Sequence, residues 1–418
     1  MLRIAMLSYH TCPLATLGGK DTGGMNVYVR DLTRHLGRLG IHVDVFTRSQ
    51  DEHVPHVLHD LGCGNRVVHV PAGLETPLPK KELAGHIPQF VDGIKRFAAE
   101  KGIRYDIIHS HYWMSGLAAE TLSDAWDGAP IVHMFHTLGA MKNRVARSAS
   151  EREGEYRLEG ERRVLARADR VIVATLAEQA QLEWLYKADV RKMTVIPPGV
   201  DVCHFYPIPE DEAKQFVGVS PEKCLLLYVG RIEPLKGVDT LIRAMVLLRE
   251  RNTCPARPLS LAIIGGEPDA SPDEMSAEMA RLQKLCADLG MEDIVVFLGK
   301  RSQDTLPYYY SASEVVIVPS HYESFGMVAL EAMACGTPVV ASQVGGLAFL
   351  VQDGVTGYTV PDGDPAALCG RLEILLGDVG LRQTMGLRAT EVAQEYDWEK
   401  IGDQVVRVYL EATKSNES

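Results

Sequence analysis

The 418-residue sequence has no long hydrophobic run and no cysteine pattern typical of a metal site or a disulfide framework. A membrane-spanning helix needs about 20 consecutive apolar residues, so no transmembrane segment is predicted. The eight cysteines are scattered, without a C-x-x-C pair or a Cys/His cluster at zinc-ligand spacing. The opening run, MLRIAMLS, is typical of a short strand rather than a signal peptide. A soluble cytoplasmic protein with reduced thiols is therefore expected.

The sequence also lacks an excess of positive charge and the two commonest phosphate-binding fingerprints. Lys and Arg total 43 against 55 Asp and Glu, a formal net charge of −12. This balance disfavours sequence-independent binding to nucleic acid or to an anionic membrane, and no nucleic-acid partner is predicted. Neither G-x-G-x-x-G nor a Walker A motif occurs, so NAD-binding and P-loop functions lose their usual support.

Short apolar segments alternate with amphipathic helical patterns along almost the whole chain. This alternation is typical of α/β proteins with doubly wound parallel sheets. Since a domain usually has about 100–200 residues, two Rossmann-like domains are predicted at 1–205 and 206–396, with a hinge near the PPG run at 197–199. The last segment, 397–418, either continues the second domain or packs on the first. The predicted strands are 3–7, 42–47, 106–110, 130–135 and 170–175, then 224–229, 259–264, 294–298, 314–318 and 338–341.

Two carboxylates lie around one strand-to-helix junction, in the run PSHYESFGMVALEAMACGTP at residues 319–338. An apolar strand precedes the run, and a helix is predicted from about Gly326 to Gly336. Ligands of open α/β sheets collect at the carboxyl ends of strands, where the next helix offers free N–H groups. Glu323 would then face this crevice, and Glu331 could accept hydrogen bonds from a ribose diol. The alternative is a helix cap at Glu323 and a solvated carboxylate at Glu331.

Two further loops connect a predicted strand to a predicted helix. Residues 18–26, GGKDTGGMN, form either a glycine-rich loop whose N–H groups approach a phosphate or an ordinary flexible surface loop. Residues 230–237, GRIEPLKG, place Arg231 and Lys236 at one strand end. Two cations there could neutralise a diphosphate and stabilise the charge that develops as it leaves. The alternative is a pair of solvated surface cations.

Histidines and basic residues gather in the first domain. His109 and His133 lie within apolar strands and are expected to be hydrogen-bonded core residues. His136 comes last in its segment, followed by Thr137 and Gly139, and is the better candidate for the crevice. Loops and helices here also supply cations that could bind a phosphorylated acceptor, although most of them are expected to be solvated. These cations are Lys80, Lys81, Arg144, Arg147 and Arg157.

The run Asp362-Gly363-Asp364 has the spacing of a metal-binding D-x-D motif. It lies between a strand-like segment and a predicted helix that begins at Pro365. An aspartate directly before a proline at the first helical position is typical of a helix N-cap. We therefore predict a cap at Asp364 rather than a metal site.

Taken together, these motifs resemble the retaining glycosyltransferases of family four, which have the GT-B architecture of two Rossmann-like domains facing a central cleft. The resemblance covers nearly the whole chain. DTGGMNVY at 21–28, SHYWMSG at 110–116 and HTLGAMKN at 136–143 are similar to inositol-phosphate N-acetylglucosaminyltransferases of mycothiol synthesis. Bacterial sucrose-phosphate synthases are similar too, but they tend to carry Gln where this chain has Met25, which favours the inositol-phosphate interpretation.

The resemblance implies a retaining hexosyltransferase that moves GlcNAc or glucose from a UDP-sugar to a phosphorylated polyol or sugar. Inositol phosphate is the favoured acceptor. No cofactor and no essential metal are implied. The leaving phosphate itself, rather than a protein nucleophile, is implied to take the acceptor's proton on the same face of the sugar.

The resemblance also implies roles for residues at matching positions. Arg231 and Lys236 would hold the diphosphate, and Glu331 the ribose. Glu323 would bind hydroxyls of the donor sugar, with His136 near its 6-hydroxyl. The residues implied in catalysis are His136, Arg231, Lys236 and Glu323. Those implied in donor binding are Gly23, Gly24, Gly230, Ser324, Phe325, Gly326, Met327, Val328 and Glu331, and those implied in acceptor binding are Lys80, Tyr112, Thr137 and Arg157.

Several alternatives stay open at this point, because one fold of this kind serves many substrates. Within the class, the alternative is transfer of glucose to fructose 6-phosphate, as in a sucrose-phosphate synthase. Outside it, the alternatives are a UDP-sugar epimerase, a phosphorylase that binds pyridoxal phosphate, and a non-catalytic nucleotide-sugar binder. The oligomeric state is open, with a homodimer as one possibility. Closure of the two domains about the hinge is a further expectation.

Overall fold

The computed structural model describes residues 2–16, 22–146, 149–251, 257–271 and 274–415. The chain divides into two compact units, each with its own sheet. The sequence-based boundaries at 205/206 and 396/397 stay predictions. The first unit is Met1–Ala15, Gly24–Gly199 and Trp398–Ser418, and the second is Thr16–Gly23 and Val200–Asp397.

The first unit is built on one mainly parallel sheet. Its strands are β1 (Arg3–Leu7), β2 (His42–Arg48), β3 (Val57–Leu58), β4 (Arg66–Val70), β5 (Ile107–His111), β6 (Ile131–Met134), β7 (Arg170–Val173) and β8 (Met193–Val195). They pair in the order β3-β4-β2-β1-β5-β6-β7-β8, and β3 runs antiparallel to β4. In the central register, Ile4 lies opposite Val43 on one side and Ile107 on the other. All three are buried, which explains the continuous apolar runs of these strands.

Helices cover this sheet with apolar stripes at helical spacing. In α3 (Ile87–Lys101), one face of the helix is buried in the core. The buried residues on this face are Phe90, Val91, Ile94 and Ala98. The helices are α1 (Gly24–Arg38), α2 (Lys80–Leu83), α3 (Ile87–Lys101), α4 (Trp113–Ala125), α5 (Gly139–Val145), α6 (Glu155–Arg167) and α7 (Leu176–Tyr186).

The second unit contains an all-parallel sheet in the order β11-β10-β9-β12-β13-β14. These strands are β9 (Cys224–Val229), β10 (Leu259–Ile264), β11 (Val295–Gly299), β12 (Val315–Val318), β13 (Val339–Ser342) and β14 (Gly357–Val360). All ten strands predicted from the sequence are present, with ends that differ by one or two residues. The helices are α8 (Glu210–Val217), α9 (Val238–Glu250), α10 (Ala277–Asp288), α11 (Leu306–Ser311), α12 (Met327–Ala334), α13 (Leu347–Leu350), α14 (Pro365–Gly377) and α15 (Val379–Ala393).

The last helix, α16 (Trp398–Ser415), returns to the first unit. The ring of Trp398 meets that of Tyr28 edge-on, and the hydroxyl of Tyr409 lies 2.7 Å from Nδ1 of His109. The sequence had left open which domain this segment covers. Among the described residues, no helix has the length and hydropathy required to cross a bilayer.

Candidate active site

Two of the loops singled out in the sequence follow neighbouring strands of the second sheet. β9 leads into residues 230–237 and β12 into residues 319–326, and the two strands pair in parallel. The strand order reverses between them, because the chain runs outward from β9 to β11 and then returns to the other side of β9. Ligands of doubly wound sheets bind at such a reversal, beyond the carboxyl ends of the strands. The fold therefore brings together two segments that the sequence predicted separately.

Lys236 and Glu323 form an ion pair across these two loops. Nζ of Lys236 lies 2.5 Å from Oε2 of Glu323, and the two side chains are 18% and 19% exposed. Arg231 makes a second pair, with its Nη1 2.6 Å from Oε1 of Glu233. Partly exposed pairs add at most about 1 kcal/mol to folding, so neither pair is needed to hold the fold. Both cations are thus retained at the strand ends by carboxylates that a ligand could replace.

The close approach of the two loops depends on Gly237. Its φ of 64° lies in the left-handed region, and a Cβ there would lie 2.0 Å from the carbonyl oxygen of Pro319. Next to it, the N–H of His321 donates to the carbonyl of Leu235 at 2.8 Å. A side chain at position 237 would push the loops apart and separate the ion pair between them.

The loop that carries Glu323 packs against a glycine pair that the sequence analysis missed. A Cβ at Gly345 would lie 1.8 Å from the carbonyl oxygen of Glu323, and the N–H of Gly346 donates to that same oxygen at 3.1 Å. A Cβ at Gly346 would lie 2.3 Å from Cα of Phe325. The available signal was the VGG run at residues 344–346, shortly after a predicted strand.

The helix after β12 begins where the sequence predicted, which confirms the strand-to-helix junction. Gly326 directly precedes Met327, the first residue of α12. Phe325 is buried, whereas Ser324 and Val328 are half-buried. N–H groups of a first helical turn have no partner within the helix, so this backbone can donate to the oxygen atoms of a ligand.

Glu331 lies on α12 and is only 3% exposed, so the alternative of a solvated carboxylate is wrong. Its Oε2 accepts a 2.7 Å hydrogen bond from the hydroxyl of Tyr310, and its Oε1 lies 3.4 Å from Nε2 of Gln303. Burial, together with Glu331, raises the pKa of Tyr310 well above its ordinary value, so this hydroxyl remains a donor. Tyr310 thus orients the Glu331 carboxylate, a role that no sequence motif indicated.

The four predicted acceptor residues lie together in the first unit. Tyr112 follows β5, with Cζ of Arg157 5.0 Å and Nζ of Lys80 5.9 Å from the centroid of its ring. Nη2 of Arg157 donates to the carbonyl and hydroxyl oxygens of Thr137, at 3.0 and 3.1 Å. The structure therefore gathers two cations, an aromatic ring and a hydroxyl from four separate sequence segments.

Arg157 is fully buried and is held by two carboxylates that the sequence analysis did not single out. Its Nε donates to Oε1 of Glu161 at 2.9 Å, and its Nη1 donates to Oε1 of Glu153 at 2.6 Å. Burial acts to lower the pKa of Arg157, but Tyr112, Glu161 and Glu153 outweigh burial and raise it. The guanidinium is therefore charged at pH 7.

Glu161 links this arginine to the helix that follows Thr137. It is fully buried and accepts the N–H of Gly139, the first residue of α5, at 3.0 Å. It also accepts a hydrogen bond from the hydroxyl of Tyr186. Glu161 thus fixes Arg157 and the start of α5 together.

The histidines near the ends of β5 and β6 fall into two groups. His109 and His133 are fully buried, with Nδ1 atoms 2.7 Å from the Tyr409 hydroxyl and 2.8 Å from Oγ of Ser110. They are core residues, as predicted. His136 is half-buried just beyond β6, has a φ of 60°, and places Nε2 2.9 Å from Nδ1 of His111. Burial lowers the pKa of His136 to about 3, so its imidazole is neutral near pH 7.

Asp364 is a helix cap, as predicted. Its side chain accepts the N–H groups of Ala366 and Ala367, both at 2.9 Å, at the start of α14. Asp362 instead pairs with the imidazole of His321. Within the part of the chain that the structure describes, no group of three or more His, Cys, Asp or Glu side chains is arranged to hold a metal ion.

Some predicted residues lie elsewhere or outside the described residues. Residues 18–21 of the glycine-rich loop and Arg147 are outside the described residues. Gly23 groups with the second unit, and a Cβ there would lie 3.6 Å from Nε of Arg231, whereas Gly24 begins α1. The other loop cations, Lys81 and Arg144, are exposed, as was expected for most of them.

Both halves of the chain match known families. Residues 22–203 match the family described as Glycosyltransferase Family 4, and residues 209–392 match Glycosyl transferases group 1. A D-inositol 3-phosphate glycosyltransferase of Actinosynnema mirum is 40% identical over 417 residues, which cover 99% of this chain and 98% of the relative. One of Acidothermus cellulolyticus is 42% identical over 412 residues, covering 98% and 90%. The chain belongs to the family-four glycosyltransferases.

Solved structures share this glycosyltransferase's fold. A sucrose-phosphate synthase from Thermosynechococcus elongatus superposes with a TM-score of 0.90 at 35% identity, covering 99% of this chain and 100% of the other. HepE from Anabaena, solved with UDP and glucose, gives 0.74 at 22% identity, covering 97% and 99%, and shares the fold. The predicted GT-B fold class, with two Rossmann-like domains, is confirmed.

Proposed function

We propose that this glycosyltransferase moves a hexosyl group, GlcNAc or glucose, from a UDP-sugar to inositol phosphate with retention of configuration. The main support for a phosphorylated acceptor is a group of four residues that lie together in the first unit. They are Lys80, Tyr112, Thr137 and Arg157. Charged donors around an aromatic ring fit a phosphate monoester on a small polar molecule. The D-inositol 3-phosphate glycosyltransferases at about 40% identity support inositol phosphate within that class.

The donor side of the proposal uses the ion pair in the second unit. When a diphosphate binds, Lys236 and Arg231 would exchange their carboxylate partners for phosphate oxygens. Glu323, released from Lys236, would then accept hydrogen bonds from hydroxyls of the donor sugar. Glu331 would accept from the ribose diol, and the neutral imidazole of His136 would hydrogen-bond the 6-hydroxyl of the sugar.

The transfer step requires no nucleophile from the protein, because one bond forms, one bond breaks and the proton has an acceptor. The acceptor oxygen forms a bond to the anomeric carbon, and the bond from that carbon to the UDP oxygen breaks on the same face. The acceptor's proton passes to the leaving phosphate. Arg231 and Lys236 stabilise the negative charge that builds on UDP, which is the main contribution the protein makes to this step.

The proposal is tested by combining each donor with each acceptor. UDP-GlcNAc, UDP-glucose and other nucleotide-sugars are incubated with D-inositol 3-phosphate, fructose 6-phosphate and unphosphorylated inositol, and the products are read by mass spectrometry. The anomeric configuration follows from proton coupling constants in the product. We expect a glycosylated inositol phosphate with retained configuration. Turnover of a UDP-sugar without acceptor would indicate an epimerase, and UDP binding without UDP release a non-catalytic binder.

A second candidate is transfer of glucose to fructose 6-phosphate. The 0.90 TM-score and 35% identity to a sucrose-phosphate synthase favour it specifically. A cluster that binds a phosphate monoester also suits fructose 6-phosphate, so the same matrix of substrates decides between the two acceptors.

Replacing Tyr310 by Phe should weaken UDP binding by about tenfold with little change in kcat. The hydroxyl donates to Glu331, and a hydrogen bond to a charged group contributes about 1.5–3 kcal/mol, so its loss lets the carboxylate leave the ribose-binding orientation. Calorimetric titration with UDP measures the effect. Tyr308→Phe is the control, because Tyr308 lies on the same helix and stacks on Phe216. Equal UDP affinity in the two variants would contradict the role of Tyr310.

A further inference from the structure

A carboxylate binds a cation of the acceptor cluster, which consists of Lys80, Tyr112, Thr137 and Arg157. Oε1 of Glu153 accepts both Nη1 of Arg157, at 2.6 Å, and Nζ of Lys142, at 3.2 Å. Burial acts to raise the pKa of Glu153, but Arg157 and Lys142 outweigh burial and hold it below its ordinary value, so the group is an anion. One negative oxygen thus bridges two cations beside the ring of Tyr112.

Arg157 has little capacity left for a second anion. Of its five N–H donors, one binds Glu161, two bind Thr137 and one binds Glu153. A phosphate that engages Arg157 with more than one bond must therefore replace an existing partner. The two carboxylates that a phosphate could replace at Arg157 are those of Glu153 and Glu161.

Glu161 is fixed, whereas Glu153 can leave. Glu161 is fully buried and also accepts the Gly139 N–H and the Tyr186 hydroxyl. The Glu153 side chain is 22% exposed and lies between a short turn and the start of α6. Its backbone is held by Asn143, with Glu153 N to Asn143 Oδ1 at 2.6 Å and Asn143 Nδ2 to Glu153 O at 3.1 Å. Side-chain rotation alone would therefore free the two cations.

Charge balance favours exchange over simple addition. The carboxylates of Glu153 and Glu161 already offset the charges of Arg157 and Lys142, the two cations that they contact. Lys80 is a third cation near the ring of Tyr112. A phosphate monoester carries about −1.5 to −2 at pH 7, so adding one while Glu153 remained would place like charges in contact. Departure of Glu153 removes that repulsion and leaves Arg157 and Lys142, in addition to Lys80, for the phosphate.

We propose that Glu153 is an internal placeholder for the acceptor's phosphate, and that Lys142 becomes a further phosphate contact when the phosphate displaces it. The inference rests on the proposed function, which supplies the phosphorylated acceptor. It assigns a specificity role to two residues that the family resemblance did not. An unphosphorylated acceptor lacks the charge to displace Glu153, so the exchange favours phosphorylated molecules.

The test is calorimetric titration of the full chain with inorganic phosphate and with D-inositol 3-phosphate. Glu153→Gln keeps the side-chain size but removes the competing charge, so we expect both ligands to bind about tenfold more tightly. Lys142→Met keeps the aliphatic stem and should weaken both by about tenfold. The matched control is Glu155→Gln, because Glu155 is 71% exposed and pairs with Arg162 instead. We expect less than a twofold effect there.

The outcomes separate this inference from the proposed function. If Glu153 were only an anchor for Arg157, Glu153→Gln would bind phosphate equally or more weakly while transfer by the wild type continued, and the placeholder role would be overturned alone. Tighter phosphate binding without transfer to any phosphorylated acceptor would support the placeholder and refute the acceptor assignment. A gain of the same size in Glu155→Gln would reduce the effect to general surface charge and would overturn the placeholder.

Discussion

Replacing Lys236 by Ala should lower kcat for hexosyl transfer by about 10²–10³-fold, and replacing Arg231 by Ala should have a similar effect. The two cations lie where β9 ends, beside the strand reversal at which doubly wound sheets bind ligands. Charge that develops on a leaving diphosphate would be stabilised there without reorganisation of water. Steady-state rates of UDP release, measured with saturating donor and acceptor, test the expectation.

A matched control separates the loss of a site cation from the loss of any ion pair. Lys284 lies on α10 in the same unit, is 77% exposed, and pairs with Asp288 at 3.5 Å. Lys284→Ala should leave kcat within twofold of the wild type, because an exposed pair on a helix contributes a few tenths of a kcal/mol. Near-normal turnover in both Lys236→Ala and Arg231→Ala, with the fold intact, would remove the basis of the donor site.

Glu323→Ala distinguishes two accounts of the same ion pair. If Glu323 only positions Lys236, its removal leaves the cation in place and lowers kcat modestly. If it also binds the donor sugar, the KM for the UDP-sugar rises while the affinity for UDP alone does not fall, because UDP lacks the sugar hydroxyls and Lys236 no longer has to leave a carboxylate. We expect the second result.

The strands were predictable because each is an apolar run bounded by turn residues. β12 is Val-Val-Ile-Val and is buried throughout, which a hydrophobic window detects directly. β3, β4 and β8 were missed. β3 and β8 are two and three residues long and form the two edges of the first sheet. Strands that short are stabilised by the neighbour they pair with rather than by their own sequence. β4 was missed although it has five residues and its last four are buried.

The sequence predicted the site residues that lie within recognisable motifs, but not their contacts or the residues outside those motifs. Lys236 and Glu323 were each singled out, but their ion pair joins residues 87 positions apart and depends on β9 and β12 being neighbours. Tyr310 and Glu161 lie in no recognisable motif. From the sequence alone, a tyrosine or glutamate on an amphipathic helix cannot be distinguished from an ordinary surface residue. A weak signal for Glu161 was Gly160 within the same helix, since glycine costs about 1 kcal/mol there relative to alanine.

Gly160 also shows why tertiary packing was needed to interpret that signal. A Cβ at this position would lie 2.6 Å from Cε3 of Trp113. The glycine therefore lets α6 approach the indole of Trp113, the first residue of α4. Arg157 and Glu161 are fully buried on this same helix, which a pattern of charges in the sequence does not indicate.

Replacing Glu161 by Ala should lower the free energy of unfolding of the first unit by about 3–5 kcal/mol, because it leaves the fully buried Arg157 without its buried carboxylate. The N–H of Gly139 and the hydroxyl of Tyr186 lose an acceptor as well. Glu161→Gln keeps an acceptor of the same size and should cost less, although it too removes the charge. Urea denaturation followed by tryptophan fluorescence measures the loss in the first unit, which contains all four tryptophans of the chain.

The control for this prediction is Glu159→Ala on the same helix. Glu159 is 72% exposed and pairs with Arg162 at 3.1 Å, so its removal should change the free energy of unfolding by no more than about 0.5 kcal/mol. The contrast tests whether the acceptor cluster is part of the folding core of the first unit. Equal urea midpoints for Glu161→Ala and Glu159→Ala would mean that the buried pair of Arg157 and Glu161 is dispensable for stability. The Glu161→Ala variant should also lose phosphate binding before it unfolds, because the start of α5, which carries Lys142, would no longer be fixed to Arg157.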